Sequence, residues 1–185
     1  PITRLQCCPT ADGAAAVILA SGSVAHSSRR ALRIDASVLC SGGYENPADL
    51  ARWETDSRTC QLAYDRAGLG PADLDVVECH DAFSIAEILH CEALGLCEPG
   101  EGGRLVENGA TGLDGRIPVN VSGGLLSRGH PIAATGCAQV VELAHQLRGE
   151  AGARQVPGAR VGLAQCMGGD QAADAKSCTV VIISR

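Results

Sequence analysis

The sequence has almost no aromatic residues, which make up 2% of its 185 positions, although 45% of the positions are hydrophobic. Its core must therefore be built from Ala, Val, Ile, Leu and Cys, whose small side chains let helices and strands approach closely. There is no basic stripe, and the net charge of −6 argues against a nucleic-acid partner. Apolar runs stay well short of the roughly 20 residues of a membrane span, and no secretory signal pattern is visible.

The ten cysteines include no C-x2-C pair, so a zinc site is a poor interpretation and we predict no metal. Many lie in apolar, periodic stretches, where a free thiol packs as a small hydrophobic side chain. We therefore predict mostly free thiols, a reducing compartment and a cytoplasmic location. The chain opens on Pro1 and Ile2 without an initiating Met, which is typical of the interior of a longer protein.

Strand and helix patterns alternate along the chain, which predicts an α/β fold with a sheet covered by helices. The strand patterns cover residues 33–40, 75–79, 117–121, 160–166 and 178–184, with 13–21 as a strand or a helix–strand junction. The last two of these suggest a terminal hairpin. Helical spacing covers residues 49–67, 84–96 and 132–147, while 98–116 has the composition of a loop. Ser84 and Glu87 have the spacing of a capping box.

Three short stretches follow predicted strands: E-C-H-D-A-F at 78–83, S-G-G-L-L-S-R-G-H-P at 122–131 and Q-C-M-G-G at 165–169. Ligands of open α/β sheets bind outside the carboxyl ends of the strands, so the three stretches are expected to share one edge. They would bring His80, His130 and Cys166 together with free backbone N–H groups. Bases for proton transfer and amide donors for an oxyanion indicate acyl chemistry.

Other polar residues of these stretches have plainer interpretations. Asp81 is placed to cap the helix near Ser84. Glu78 either orients the neighbouring imidazole or is a solvated carboxylate. The remaining histidines are interpreted as surface or helix-face residues: His26, His90 and His145.

Together with C-C-P-T-A-D-G-A-A-A-V-I-L at 7–19, these stretches resemble the thiolase family, in the family's order and over essentially the whole chain. The sequence is most similar to the sterol-carrier-protein-type and archaeal acetoacetyl-CoA branch, whose H-D-A-F replaces Asn-Glu-Ala-Phe. The resemblance implies a thiolase-like layered α/β fold with a mixed sheet covered by helices. Residues 1–30 would be the last segment of the N-terminal domain, and residues 31–185 the C-terminal domain.

The resemblance also implies roles for individual residues. His130 would activate a nucleophilic cysteine and bind the thioester oxygen, and His80 would complete that oxyanion hole through a water. Cys166 would move the proton of the substrate α-carbon or of the incoming thiol, as a thiolate made accessible by a nearby imidazolium. The backbone N–H of Gly168 would donate to a second oxyanion hole. The substrate-contacting positions would be Phe83, Ser122, Gly123, Gly124 and Met167, although Phe83 is equally well interpreted as a core anchor.

The implied function is a thiolase-type acyltransferase that acts on acyl-CoA or 3-ketoacyl-CoA by Claisen condensation or thiolysis, with coenzyme A as a substrate and no cofactor. Two alternatives stay open: a thiolase-like retro-aldolase of steroid side-chain CoA esters that works with a partner protein, and a non-catalytic module that binds acyl-CoA or a partner. The family's nucleophilic cysteine lies upstream of D-G-A-A-A, so the missing N-terminal half or a second chain is expected to supply it. The resemblance further implies a homodimer or tetramer.

Overall fold

The computed structural model describes residues 2–43, 49–171 and 174–185. Its strands are β1 (Arg33–Ser41), β2 (Val76–Glu78), β3 (Val161–Gln171) and β4 (Asp174–Ser184). They form one sheet in the order β1-β4-β3-β2. Strand β4 is antiparallel to both β1 and β3, whereas β2 is parallel to β3, so the sheet is mixed as predicted.

Helices cover both faces of this sheet. They are α1 (Gly22–Ala25), α2 (Glu54–Ala67), α3 (Ser84–Ala93), α4 (Gly102–Glu107), α5 (Gly124–Arg128) and α6 (Thr135–Arg148). Helix α2 packs on β1 and β4, and α6 packs on β2 and β3. Successive strand residues point to opposite faces, and neighbours such as Leu163 and Ala164 indeed belong to two separate hydrophobic clusters. The fold therefore has three layers, helix–sheet–helix.

The two longest helices end at glycines. Helices α2 and α6 have 14 residues each and stop at Gly68 and Gly149, whose φ angles of 66° and 75° suit the left-handed region. Both begin later than the spacing predicted, at Glu54 and Thr135, because backbone turns occupy the preceding residues. In the described part of the chain, no helix has the length and apolar character needed to cross a membrane.

Two predicted strands are wrong. Residues 13–21 have no regular secondary structure and join no described strand, and Ile18 and Leu19 are 97% and 74% exposed. A strand needs a hydrogen-bonded neighbour, and none of the described residues provides one there. Residues 117–121 make only an isolated parallel bridge between Val119 and Val77.

Two local predictions around α3 are also wrong. Phe83 is the N-cap of α3 and Ser84 is already helical, so no capping box forms. Both side chains bind residues that are distant in sequence instead. The Ser84 hydroxyl accepts a hydrogen bond from Gln6 Nε2, and Glu87 Oε2 accepts one from Asn120 Nδ2. The predicted loop at 98–116 contains α4, whose first residue, Gly102, donates its N–H to Glu92 Oε1 at 3.0 Å.

Candidate active site

His80, His130 and Cys166 form one cluster. The Cys166 Sγ lies 3.4 Å from His80 Nδ1 across 86 sequence positions. The imidazole of His130 stands almost perpendicular to that of His80, with an interplanar angle of 89° and ring centroids 4.8 Å apart. The topology predicted that the three stretches would meet, and they do.

Cys166 reaches this cluster from within a strand, not from a strand end as the sequence predicted. Strand β3 continues to Gln171, and Cys166 pairs with Thr179 of β4. Strand β2 stops at Glu78, which pairs with Ala164. Beyond that pair β3 has no parallel neighbour. The segment that follows β2 can therefore turn away from the sheet at His80 and place its imidazole against the Cys166 thiol.

Burial keeps the three reactive groups uncharged near neutral pH. It lowers the pKa of His80 to about 4, with further lowering by His130 and His90, and it lowers the pKa of His130. The pKa of the Cys166 thiol is raised to about 11, mainly by burial and then by the charge of Asp56. In this chain burial therefore favours a protonated Cys166 thiol beside a neutral imidazole, in place of the predicted thiolate beside an imidazolium.

Thr135 orients His130. The Thr135 hydroxyl lies 3.2 Å from the carbonyl oxygen of Pro131 and 2.7 Å from His130 Nδ1. Donation of the hydroxyl proton to Pro131 leaves the oxygen to accept from Nδ1–H, and this assignment satisfies every group. It leaves the lone pair on Nε2, so that nitrogen is the free base of the imidazole.

Residues 7–10 tie the two histidine loops together. The Cys8 N–H donates to the carbonyl of Ala82 at 2.8 Å, and the His130 N–H donates to the carbonyl of Pro9 at 2.9 Å. Gly129 makes this approach possible, because a Cβ there would lie 2.5 Å from the Cβ of Ala11. Gly129, directly before His130, is the sequence signal for this close approach of the two loops, although the strand and helix patterns do not use it.

Two buried carboxylates anchor the glycine loop ahead of His130. Glu78 accepts from the Ser122 N–H at 3.1 Å and from its hydroxyl at 2.6 Å, and Arg128 lies 3.6 Å away. Asp81 accepts from the backbone N–H of Leu125 at 2.7 Å and so caps α5. Both interpretations of Glu78 are therefore wrong, as is the expected cap by Asp81 on the helix near Ser84.

Burial dominates the electrostatics of both carboxylates. It raises the pKa of Glu78 to about 7, against the opposing effects of Ser122 and Arg128. Burial likewise raises the pKa of Asp81, although backbone N–H groups and Arg128 lower it in part. The loop that carries His130 is thus held in part by Glu78, whose protonation changes close to pH 7.

The predicted substrate-contacting residues differ in their exposure and in whether other residues of the chain already occupy them. Gly123 is exposed at a φ of 93°, whereas Gly124 is buried at a φ of 59°, where a Cβ would overlap the Asp81 carboxylate. The Ser122 hydroxyl is occupied by Glu78. Phe83 is 47% exposed, so its interpretation as a core anchor is wrong. Met167 is half-buried and Gly168 exposed, and Gly168 shares the strand face of Cys166 two residues before it.

His90 is not a surface residue. Its side chain is fully buried, with Nδ1 2.5 Å from Asp56 Oδ2 and Nε2 3.0 Å from the carbonyl oxygen of His80. Gln165 completes the group: its Oε1 accepts from the His80 N–H at 2.9 Å, and its Nε2 donates to Asp56 Oδ1 at 2.7 Å. Gln165 begins the Q-C-M-G-G stretch but was given no role of its own, and Asp56 lies outside all three stretches.

Residues 43–184 match the family model described as thiolase C-terminal domain-like. The chain belongs to the thiolase family. The acetyl-CoA acetyltransferase of Methanothermobacter thermautotrophicus is 47% identical over 172 residues, which cover 91% of this thiolase-family chain and 45% of that protein. Sterol carrier protein 2 of Bos taurus is 45% identical over 175 residues, covering 90% and 32% respectively. Both predicted relatives of the branch are thereby confirmed.

A third relative, benzoylsuccinyl-CoA thiolase subunit BbsB of Thauera aromatica, is 40% identical over 173 residues, or 91% of this chain and 45% of that one. The chain thus spans between about a third and about half of the length of these curated relatives.

Solved structures confirm the thiolase-like fold. The Ltp2-ChsH2(DUF35) aldolase aligns with a TM-score of 0.69 at 21% identity, covering 81% of this chain and 39% of that one. Human mitochondrial 3-ketoacyl-CoA thiolase aligns with a TM-score of 0.62 at 20% identity, covering 89% and 34%.

Proposed function

We propose that this chain is the histidine- and cysteine-bearing part of a thiolase-type acyltransferase, which cleaves 3-ketoacyl-CoA with coenzyme A or condenses two acyl-CoA molecules. The observation that carries the proposal is the cluster of His80, His130 and Cys166, with Cys166 Sγ 3.4 Å from His80 Nδ1. Its relatives of 47% and 40% identity are named as an acetyl-CoA acetyltransferase and a thiolase subunit. Coenzyme A is a substrate in this chemistry, and no cofactor is needed.

The proposed cleavage begins with a nucleophilic thiolate supplied from outside the described residues. His130 Nε2, the free base of that imidazole, takes the proton of this thiol. The thiolate adds to the keto carbon of 3-ketoacyl-CoA, the adjacent carbon–carbon bond breaks, and its electron pair stays on the α-carbon as an enolate. His130 and His80 donate to the oxygens on which negative charge develops. Preorganised donors of this kind contribute about 3–4 kcal/mol each to the transition state.

Cys166 then moves two protons. A thiol that keeps its proton at neutral pH is suited to protonate the enolate carbon, which releases acetyl-CoA and leaves the shortened acyl group on the nucleophilic cysteine. The resulting Cys166 thiolate takes the proton of the incoming coenzyme A thiol. The coenzyme A sulfur displaces the acyl group from the nucleophilic cysteine, and the backbone N–H of Gly168 donates to the oxyanion of that step.

The nucleophile is proposed to come from a complementary N-terminal half or a second chain, in a homodimer or tetramer. Residues 13–21 support this part of the proposal, because they form no regular secondary structure and leave Ile18 and Leu19 exposed. Large apolar side chains exposed side by side mark a surface that further polypeptide covers. In this view residues 1–30 close the N-terminal domain, and residues 31–185 form the C-terminal domain.

The retro-aldolase is the second candidate, because a solved aldolase shares the fold. Cleavage of a 3-hydroxyacyl-CoA needs a base for the hydroxyl proton but no covalent acyl-thiol intermediate. The contact between Cys166 and His80 favours the acyltransferase.

A thiolysis assay on the gene product that carries this chain tests the proposal. We expect Cys166→Ala to slow the coenzyme A-dependent loss of acetoacetyl-CoA by at least about 100-fold, the usual effect of losing a general acid or base. Cys97→Ala is the matched control, because Cys97 is also half-buried but lies beyond the end of α3.

Equal rates in the two variants would overturn the catalytic role of Cys166. Cleavage of a 3-hydroxyacyl-CoA that survives Cys166→Ala would favour the aldolase. Binding of acyl-CoA without any turnover would favour the non-catalytic module.

A further inference from the structure

A closed circuit of buried hydrogen bonds runs behind His80. Gln165 accepts from the His80 N–H and donates to Asp56, Asp56 contacts His90, and His90 reaches back to the His80 carbonyl oxygen. The side chains of Asp56, His90 and Gln165 come from α2, α3 and β3, and each of the three residues is 0% exposed. Both backbone polar groups of His80 are therefore engaged by side chains from other elements. We name the three residues Asp56, His90 and Gln165 the buried triad.

The proton positions of the buried triad follow from its partners. A carbonyl oxygen only accepts, so His90 Nε2 carries a proton. Burial raises the pKa of Asp56, but the charge of His90 and hydrogen bonds from His90, Cys178 and Gln165 together lower it, so the carboxylate is ionised. His90 Nδ1 lies against this carboxylate inside the protein, and breaking a buried contact of this kind is expensive.

The buried triad lies on the opposite side of β3 from the thiol. Gln165 points towards Asp56 and α2, whereas Cys166, as the next residue, points to the other face of the sheet. Near Cys166 lies Gly136 of α6, where a Cβ would be 3.5 Å from Cys166 Sγ. The triad therefore cannot touch a substrate at Cys166 directly. Among the described residues, its hydrogen bonds reach the cluster through the backbone of His80, and Asp56 also raises the pKa of Cys166 through space.

We propose that Asp56, His90 and Gln165 are positioning residues, which fix the backbone of His80 and thereby hold its imidazole against Cys166. This inference rests on the proposed function and names residues that serve the same site. Strand β2 ends two residues before His80, so no sheet pairing fixes that residue. The circuit replaces the missing pairing with two side-chain hydrogen bonds, one to each polar group of the peptide backbone.

The test measures the alkylation rate of Cys166 by iodoacetamide in the full chain, resolved from the other cysteines by peptide mass spectrometry. His80 assists this reaction because its Nδ1 is the neighbour that accepts the thiol proton. We expect Gln165→Met, which keeps the volume but removes the acceptor of His80 N–H, to slow alkylation on the order of five- to tenfold, as for one lost buried hydrogen bond. His80→Ala sets the scale of the full effect.

A double-variant cycle separates positioning from general destabilisation. If Gln165 acts through His80, Gln165→Met adds no further slowing in the His80→Ala background. Tyr64→Phe is the structural control, because Tyr64 is buried on α2 and its hydroxyl donates to the carbonyl oxygen of Leu94 rather than to a triad residue. This control is expected to leave the Cys166 alkylation rate unchanged. Should Gln165→Met fail to fold by circular dichroism, Gln165→Asn replaces it, since its shorter side chain withdraws the acceptor while remaining polar.

An unchanged or faster rate in Gln165→Met, no effect of His80→Ala, or additive slowing in the double variant would overturn the proposal. Alkylation requires no acyl donor and no nucleophilic cysteine. A negative result therefore counts against the positioning role alone, while failure of the thiolysis assay counts against the proposed function.

Discussion

Ionisation of Glu78 is expected to make the stability of this chain fall as the pH rises through neutrality. The Glu78 side chain is 0% exposed and lies between Ser122 and Arg128. Burial raises its pKa from the usual 4.5 to about 7. The perturbation that isolates this effect is Glu78→Gln, which has the same shape and a carbonyl that still accepts from Ser122, but no charge at any pH.

The sign follows from proton binding. The folded state holds the Glu78 proton more tightly than the unfolded state, so unfolding releases a proton at any pH between 4.5 and about 7. The contribution of Glu78 to the free energy of unfolding therefore decreases across this window and is constant on either side of it. Each tenfold difference in proton affinity is about 1.4 kcal/mol, so the full loss is about 3 kcal/mol.

Urea unfolding near pH 5 and near pH 8 measures the effect. We expect the wild type to lose about 3 kcal/mol more than Glu78→Gln between the two conditions. Glu107→Gln, at an exposed position of α4, is the matched control and should follow the wild type. Parallel pH curves for wild type and Glu78→Gln, or a wild type that gains stability relative to the variant at the higher pH, would refute the reasoning.

Two further substitutions test the loop and the base. In thermal melts, Gly124→Ala should lower the free energy of unfolding by at least about 2 kcal/mol, because φ is 59° and the added Cβ overlaps the Asp81 carboxylate. The control is Gly103→Ala on α4, which has open space around it and should be neutral or slightly stabilising in the same melts. Thr135→Val should release the His130 imidazole from its single tautomer, seen as shifted ring-nitrogen NMR signals, while Thr135→Ser should preserve them. Melts of equal midpoint for the two glycine variants, or identical His130 spectra for the two threonine variants, would contradict these expectations.

Long periodic elements could be predicted from the sequence because their own side chains determine them. The elements β1, β4, α2 and α6 have 9 to 14 residues each and carry an apolar face along their length, and the structure changes only their ends. Strand β3 instead extends through a glycine-rich stretch of low strand propensity to Gln171, because pairing with β4 outweighs that propensity. Residues 13–21 show the opposite case, since an apolar run forms no strand when no neighbour is present to pair with it.

For the candidate site, the topology was enough to bring His80, His130 and Cys166 together. The charges of the site were not predictable, because they depend on contacts between residues far apart in sequence. His90 looks like any histidine on a helix face until Asp56, 34 positions earlier, is placed beside it. Glu78 looks like a solvated carboxylate until Ser122, 44 positions later, folds over it.

The place of β4 at the centre of the sheet has a consequence for biosynthesis. Residues 174–184 insert between β1 and β3, which are joined to each other by no other strand. During synthesis, β1 leaves the ribosome more than a hundred residues before its partner β4 and stays unpaired until then. The apolar segments between the two strands are meanwhile exposed to chaperones and to aggregation. The sheet that carries the thiol is therefore incomplete until β4 has been made, and a nascent chain that stops short of β4 lacks two of the three strand pairings described here.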